Sequence, residues 1–475
     1  MITMIGGLLL PLCLWFWRRP AVLLMLVLVY SVFSAAALFV VGGFGITPAL
    51  MPAAMFIGLF TLNTFNGVRY PAERPALLLL LPFILVICGA LLSSMIMPRL
   101  FEGEVLVWPQ KVTTFFVRSP LVPNAGNITQ DIYLLANALL TVTAALYLTR
   151  DGSILVRLVD IYFISGLITI VISIWQFSSN ILHIPYPTQF FLSNPGWAQL
   201  SDQTMGWLTR LNGPFSEPAA LSAYMCASLS TAGWVIINGD RRWLPRLVFW
   251  GALTVVLLTT ASTGYITLLG MGTLLAVRGV FVASPAMRRR IGGGVVLVLL
   301  LGGLVGGVTP IIAPSVAREA QVVLDATLYK TQSSSYQDRS TADWDSFQEM
   351  YSTYGLGVGW GSNRSSSLLP GLCAAIGVWG VGGLVWFGLS LAYRARRAMR
   401  LTTDPSLHYA IRASAAALIS GLISALLSGP TISSPDFYLL LAILIAATAN
   451  VEREAAHLWR TKLTTGLAKS ERVSA

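Results

Sequence analysis

Residues 76–97 read Ala-Leu-Leu-Leu-Leu-Leu-Pro-Phe-Ile-Leu-Val-Ile-Cys-Gly-Ala-Leu-Leu-Ser-Ser-Met-Ile-Met, a run of 22 residues without one charged side chain. A helix needs about 20 predominantly apolar residues to cross the hydrocarbon core of a bilayer. Similar runs recur along the 475 residues, of which 55% are hydrophobic and 11% are charged. Soluble domains carry about 25% charged residues. The sequence therefore predicts an all-α, polytopic membrane protein whose core is a bundle of spanning helices.

Thirteen apolar runs are candidate spans, and we expect about 12–14 transmembrane helices, because the first and last runs are short. The runs lie at residues 2–17, 21–41, 46–63, 76–97, 130–149, 158–177, 217–237, 244–259, 263–282, 291–312, 366–393, 409–427 and 435–450. Basic clusters fall at every second junction between them, which is the positive-inside pattern. The net charge of +11 therefore reports orientation and not nucleic-acid binding. The amino terminus is predicted outside and the basic tail inside.

Most connections on the predicted outer side are tight turns, but residues 98–129, 178–216 and 313–365 are long. Long polar loops on one face of a compact bundle are usually functional. The second and third loops are rich in aromatic, amide and charged side chains, a mixture that suits carbohydrate. The chain divides into N-terminal helices with a first outer loop (1–129), a bundle with the two large outer loops (130–450) and a basic tail (451–475).

The second long loop ends in a polar stretch, Arg-Leu-Asn-Gly-Pro-Phe-Ser-Glu-Pro at residues 210–218. Pro218 suits the first turn of a helix, with Ser216 or Glu217 as the N-cap. The free N–H groups and dipole of a helix start form an anion site, and Arg210 could grip phosphate oxygens in bidentate fashion. The alternative is an ordinary capped helix with an arginine that reaches to the headgroups.

A second such arrangement ends the third loop. Residues 355–367 read Gly-Leu-Gly-Val-Gly-Trp-Gly-Ser-Asn-Arg-Ser-Ser-Ser, and Arg364 precedes a serine-capped helix start. The alternating glycines allow sharp bends or close approach to a ligand, although such a run also suits a simple flexible turn. Two helix starts, each with an arginine, would suit a diphosphate. The candidate substrate-binding residues are Gly213 in the stretch before the first helix start and Trp360, Asn363 and Ser365 before the second.

Charged and aromatic residues between 325 and 354 predict a short amphipathic helix lying on the membrane. Arg339 is a third candidate cation there. Asp343 and Asp345 lack a third ligand arranged with them, so no metal site is predicted. The predicted spans hold almost no ionisable residue near the midplane, which disfavours an ion-coupled transporter.

The pattern Arg210-x-x-Gly213-x-Phe215-x-Glu217-Pro218, followed by Gly355-Leu-Gly-Val-Gly and Gly377-Val-Trp-Gly380, resembles a known family. It looks like the outer-loop motifs of bacterial polysaccharide polymerases and O-antigen ligases (the Wzy/WaaL superfamily). The resemblance covers roughly residues 160–430. It implies a GT-C-like glycosyltransferase of the bacterial inner membrane whose active site faces the periplasm and needs neither metal nor nucleotide sugar.

The resemblance also implies roles and partners. Arg210, Arg364 and Arg339 would contact the diphosphate of an undecaprenyl-diphosphate-linked glycan, which is transferred to a second lipid-linked glycan. Glu217 is a candidate base for the acceptor hydroxyl, or else only caps its helix and orients Arg210. Membrane lipid, a chain-length regulator and a flippase are candidate partners; nucleic acid is not.

One difference from the family's motif pattern favours a polymerase over a ligase. The ligases place a His-Asn-like pair before the Gly-x-x-Gly, where this chain reads Ser366-Ser367. An O-antigen ligase acting on lipid A core, a flippase or exporter of the same lipid, and a non-catalytic assembly scaffold are the alternatives.

Overall fold

Helices account for nearly all regular structure in the computed structural model. It describes residues 1–109, 117–196, 204–205, 208–281, 284–294, 296, 318, 321–322, 325, 329, 332–429 and 432–473. The helices of the first half are α1 (Met4–Trp15), α2 (Pro20–Ser31), α3 (Leu50–Phe65), α4 (Glu73–Leu100), α5 (Ala125–Leu148), α6 (Gly152–Leu182) and α7 (Thr188–Phe191). Those of the second half are α8 (Pro218–Ile237), α9 (Trp243–Leu258), α10 (Ser262–Phe281), α11 (Ser334–Ser352), α12 (Leu368–Leu401), α13 (Pro405–Leu427) and α14 (Pro435–Val473).

Seven helices in the described ranges are long and apolar enough to cross a membrane, namely α4, α5, α6, α8, α12, α13 and the first part of α14. The chain is therefore an all-α, multi-pass membrane protein, as its composition predicts. Four shorter apolar helices, α1, α2, α3 and α9, and the 20-residue α10 coincide with further predicted spans. The predicted span at 291–312 lies mostly outside the described residues.

The predicted span at residues 21–41 is wrong in its second half. Helix α2 ends at Ser31, and the chain continues into an antiparallel hairpin of β1 (Phe39–Val41) and β2 (Phe44–Ile46). Gly42 and Gly43 form the two-residue turn, with φ of 57° and 81°. Only glycine adopts such positive φ values readily, which is why this apolar stretch becomes a hairpin.

Two further short hairpins lie in the loops. In the first long loop, β3 (Leu106–Val107) pairs with β4 (Ser119–Pro120), and in the second, β5 (Thr204–Met205) pairs with β6 (Leu208–Thr209). The helix predicted between residues 325 and 354 is confirmed as α11, whose start is capped by the Ser333 side chain, while its location on the membrane surface stays a prediction. Helix α11 packs against α12 and β3, so the first and third loops meet.

The bundle that carries the loops is built around α8 and α14. Helix α8 packs against α9, α10 and α13, and α14 packs against α5, α13 and α4. Nearly all hydrophobic side chains in the first part of α14 are buried, so it is a central helix of the bundle. Helices α5, α8 and α12 each begin where one of the three long loops ends, and the contact of Asn127 with Trp360 joins the start of α5 to the third loop.

Candidate functional site

The stretch before α8 is a tightly hydrogen-bonded loop. The Gln176 side chain on α6 accepts from the backbone N–H of Asn212 at 3.2 Å and of Gly213 at 2.7 Å, and it donates to the Asn212 amide oxygen at 2.6 Å. Gly213 has φ of 54°, and a Cβ there would lie 2.9 Å from the Ser173 hydroxyl. The backbone N–H of Ala35, just after α2, also donates to the Pro214 carbonyl at 3.3 Å. Gly213 thus shapes this loop, and its amide already has a protein partner.

Glu217 is the N-cap of α8, and Pro218 occupies the first turn, as the sequence predicts. The half-buried Glu217 side chain makes no capping hydrogen bond to the helix. The backbone of Glu217 is extended, and its carbonyl accepts from the Leu221 N–H at 3.2 Å. The carboxylate is therefore not committed to the cap, which leaves the interpretation as a base open.

Arg210 lies against the turn between α9 and α10. Its guanidinium donates to the Thr260 carbonyl at 3.4 Å. Thr260 has φ of 49°, which is rare for a β-branched residue, and its buried hydroxyl has no partner in the described part of the chain. Backbone conformations of this kind persist only where the surroundings enforce them, often at functional sites.

The charges of Arg339 and Glu217 both act on Arg210. Burial lowers the pKa of Arg210 below its ordinary value, and the positive charge of Arg339 lowers it further. The negative charge of Glu217 raises the pKa of Arg210, and Tyr265 on α10 raises it by a smaller amount. Two guanidinium groups that repel each other beside one carboxylate form a site whose net charge favours an anion.

Arg339 reaches this position from the third loop. It lies in the second turn of α11, and its Nη1 donates to the Ser428 hydroxyl at the end of α13 at 3.2 Å. The two arginines are 129 positions apart in the chain and come from different loops. The family resemblance implied that both contact the diphosphate, but the sequence did not indicate which contacts bring the two loops together.

The predicted arrangement at Arg364 differs from the one at Arg210. The Arg364 side chain is exposed, and its backbone N–H donates to the Trp108 carbonyl at 2.8 Å. Ser367 is the N-cap of α12, and the carboxylate of Asp343 on α11 accepts from the backbone N–H groups of Ser366 at 2.7 Å and Ser367 at 3.0 Å. The start of α12 therefore already binds an anion, and that anion belongs to the protein.

The glycines of residues 355–361 pack against protein backbone. A Cβ on Gly357 would lie 2.6 Å from the Ala374 carbonyl oxygen, and one on Gly359 would lie 2.7 Å from that of Ser93. Helix α12 is broken at Gly377, with φ of 65°, where a Cβ would lie 2.1 Å from the Gly355 oxygen. The glycine pattern is explained by contact between the loop and the spanning helices, with no ligand required.

Three predicted substrate-binding residues of this segment are also buried among protein partners. Asn363 accepts from the Trp108 backbone N–H at 3.0 Å and donates to the Ser346 hydroxyl at 2.9 Å. The Ser365 hydroxyl donates to the Ser367 carbonyl at 2.9 Å. Trp360 is 8% exposed, and its backbone oxygen accepts from Asn127 on α5. Asn363 thus joins the first loop to α11, and a ligand role for the three residues remains a prediction.

A buried charged cluster lies between the first loop and α11. Asp345 accepts from the Trp108 indole at 2.9 Å and from Arg118 at 3.3 Å, while Arg118 lies 4.0 Å from Glu349. Neither carboxyl oxygen of the fully buried Glu349 has a hydrogen-bond partner among the described residues. Burial raises the pKa of Glu349 to about 9. The positive charge of Arg118 lowers this pKa by less than burial raises it, and the negative charge of Asp345 raises it further.

Asp343 and Asp345 point to different partners. Residues two apart on a helix face nearly opposite sides, so one carboxylate binds the start of α12 while the other binds the first loop. Sequence reasoning missed both contacts, along with Gln176 and Arg118. The i, i+4 spacing of Arg339 with Asp343, and of Asp345 with Glu349, was the signal that α11 presents two distinct polar faces.

The comparisons with known proteins add no family. No model of a known protein family matches the sequence, and no curated protein is similar to it at a significant level.

Proposed function

We propose that this chain is a GT-C-like polysaccharide polymerase of the bacterial inner membrane that acts at the periplasmic face. The observation that carries the proposal is that the charges of Arg339 and Glu217 both act on Arg210 beside the start of α8, where the Glu217 carboxylate makes no capping hydrogen bond. The family resemblance of the stretch that contains Arg210 and Glu217 supports it. The donor is a glycan on undecaprenyl diphosphate, and the acceptor is a second lipid-linked repeat.

In this reaction a hydroxyl of the acceptor sugar attacks the anomeric carbon of the donor. A new glycosidic C–O bond forms, the C–O bond to the diphosphate breaks, and undecaprenyl diphosphate leaves with the bonding electrons. Negative charge grows on the leaving group, so preorganised arginines and the amide groups of a helix start stabilise the transition state. Glu217 accepts the hydroxyl proton in this scheme, since its carboxylate interacts with Arg210 and makes no cap bond.

The division of work among the three arginines follows from their surroundings. Arg210 and Arg339 are half-buried and the charge of Arg339 acts on Arg210, so both contact the diphosphate in our proposal. Arg364 is exposed beside a helix start whose amides bind Asp343. We assign Arg364 the outer part of the glycan or the lipid headgroup region, a weaker role than the sequence suggests.

The test uses full-length protein in proteoliposomes with a synthetic lipid-linked repeat unit, and the readout is a ladder of polymer. Arg210→Lys and Arg339→Lys keep the charge and lose bidentate contact, and we expect each to lower the rate on the order of 100-fold or more. Arg397→Lys, an exposed arginine at the far end of α12, is the matched control. A full ladder with both site variants would refute the diphosphate assignment.

The same system separates the alternatives. Product that forms only when lipid A core is supplied identifies a ligase, and movement of the lipid-linked repeat across the bilayer without new glycosidic bonds identifies a flippase. Wild-type protein that yields neither product nor transport leaves the scaffold as the explanation.

A further inference from the structure

The carboxylate of Asp343 accepts three hydrogen bonds. Its Oδ1 accepts from the backbone N–H groups of Ser366 and Ser367, and its Oδ2 accepts from the Ser367 hydroxyl at 2.5 Å. Both oxygens are thus engaged at the start of α12. Charge-assisted bonds to a helix terminus of this kind are among the stronger ones in proteins.

These bonds belong to a closed ring of contacts that joins three elements. The Gly429 N–H, just beyond α13, donates to the Ser366 carbonyl at 2.9 Å. The neighbouring Ser428 hydroxyl accepts from Arg339 at 3.2 Å. Arg339 and Asp343 are one helical turn apart on α11, so the ring returns to the element on which it began.

We propose that Asp343 is a positioning residue whose carboxylate, bound to the start of α12, fixes the rotation of α11 and so directs Arg339 towards Arg210. Arg339 and Asp343 form no ion pair with each other among the described residues, because the carboxylate faces the amides of α12. Because both oxygens bind the start of α12, we assign Asp343 a positioning role and not that of a proton acceptor for substrate. Its role in activity rests on the proposed function, while its role in holding α11 does not.

A second consequence concerns the anion site itself. Since an internal carboxylate occupies the start of α12, the diphosphate is left with the site formed by Arg210, Arg339 and the start of α8. The site therefore has one helix terminus, and its second cation is supplied by α11 only while Asp343 remains bound.

The experiment is a double-mutant cycle on diphosphate binding by the full-length protein in nanodiscs. The probe is undecaprenyl diphosphate without glycan, measured by competition. We expect Asp343→Ala to weaken binding about 10-fold in the wild-type background and to have no further effect when Arg339 is replaced by glutamine. Asp343→Asn retains one acceptor oxygen for the two amides and should recover part of the affinity.

Hydrogen exchange of α11 provides the readout that needs no ligand. Asp343→Ala should raise exchange across Ser334–Ser352, and Asp338→Ala, an exposed carboxylate on the same helix, should not. Equal losses of affinity from Asp343→Ala with and without Arg339 would overturn the positioning role, as would unchanged exchange. If exchange rises but Arg339→Gln leaves probe binding intact, the diphosphate assignment fails, and with it the functional part of this proposal.

Discussion

Replacing Glu349 with glutamine removes a charge that burial opposes while keeping the shape of the side chain. The pKa of this carboxyl rises from an ordinary 4.5 to about 9 in the folded protein. The folded state therefore keeps a proton that the unfolded state releases above pH 4.5. The protonated Glu349 contributes its full stability below pH 4.5, and the free energy of unfolding falls as the pH rises from there towards about 9. Each pH unit above the pKa of the unfolded state costs about 1.36 kcal/mol of the free energy of unfolding. At pH 7, about 2.5 units above that pKa, the free energy of unfolding has fallen by about 3 kcal/mol.

Glutamine has no charge to lose, so we expect Glu349→Gln to raise the free energy of unfolding at pH 7 by up to about 3 kcal/mol and to change it little at pH 4.5. The assay is denaturant unfolding of the detergent-solubilised protein at several pH values between 4.5 and 9. The gap between variant and wild type should widen by about 1.4 kcal/mol per pH unit. Glu102→Gln, an exposed carboxylate of the first loop, is the control and should show no widening gap. Parallel curves for Glu349→Gln and wild type would refute the neutral, buried state of Glu349.

Three other substitutions test the packing that supports the site. Gly377→Ala places a Cβ 2.1 Å from a carbonyl oxygen at positive φ, so we expect little folded protein by size-exclusion chromatography, whereas Gly382→Ala, with open space around it, should behave as wild type. Gln176→Leu leaves two buried amides of the loop before α8 without an acceptor, which should lower the free energy of unfolding by about 1–3 kcal/mol for each in thermal or denaturant melts. Trp108→Phe removes the donor to Asp345 and should increase exchange of the first loop, and normal protection would contradict that contact.

The sequence was sufficient for the features that depend on short-range pattern. Apolar runs predicted the membrane class, and Pro218 with Glu217 located the start and cap of α8 within a residue. The charged and aromatic spacing after residue 333 predicted α11. Each of these follows from helix length, capping or periodicity, which are properties of neighbouring residues.

The features that were missed depend on contacts between distant segments. Asn363 was predicted to bind substrate, but its amide joins Trp108, which is 255 positions away in the chain, to Ser346 on α11. The sequence predicted no metal site at Asp343, and nothing local indicated that the start of α12 would be its partner. The glycines at 355–361 were correct as a signal of close approach, but the approaching surface is the protein's own backbone.

The hydrogen bond from Ala35 to the Pro214 carbonyl bears on where this chain can be cut. Ala35 supports the loop that contains Arg210 and Glu217, and its own carbonyl accepts from the Asn194 N–H at 3.1 Å. A truncated protein that begins at residue 130 would retain every arginine of the site but lose the hydrogen bond from Ala35 that supports this loop. The first helices are therefore part of the smallest unit that can hold the site in shape, and attempts at a minimal fragment should start at the amino terminus and not at the division that the loops suggest.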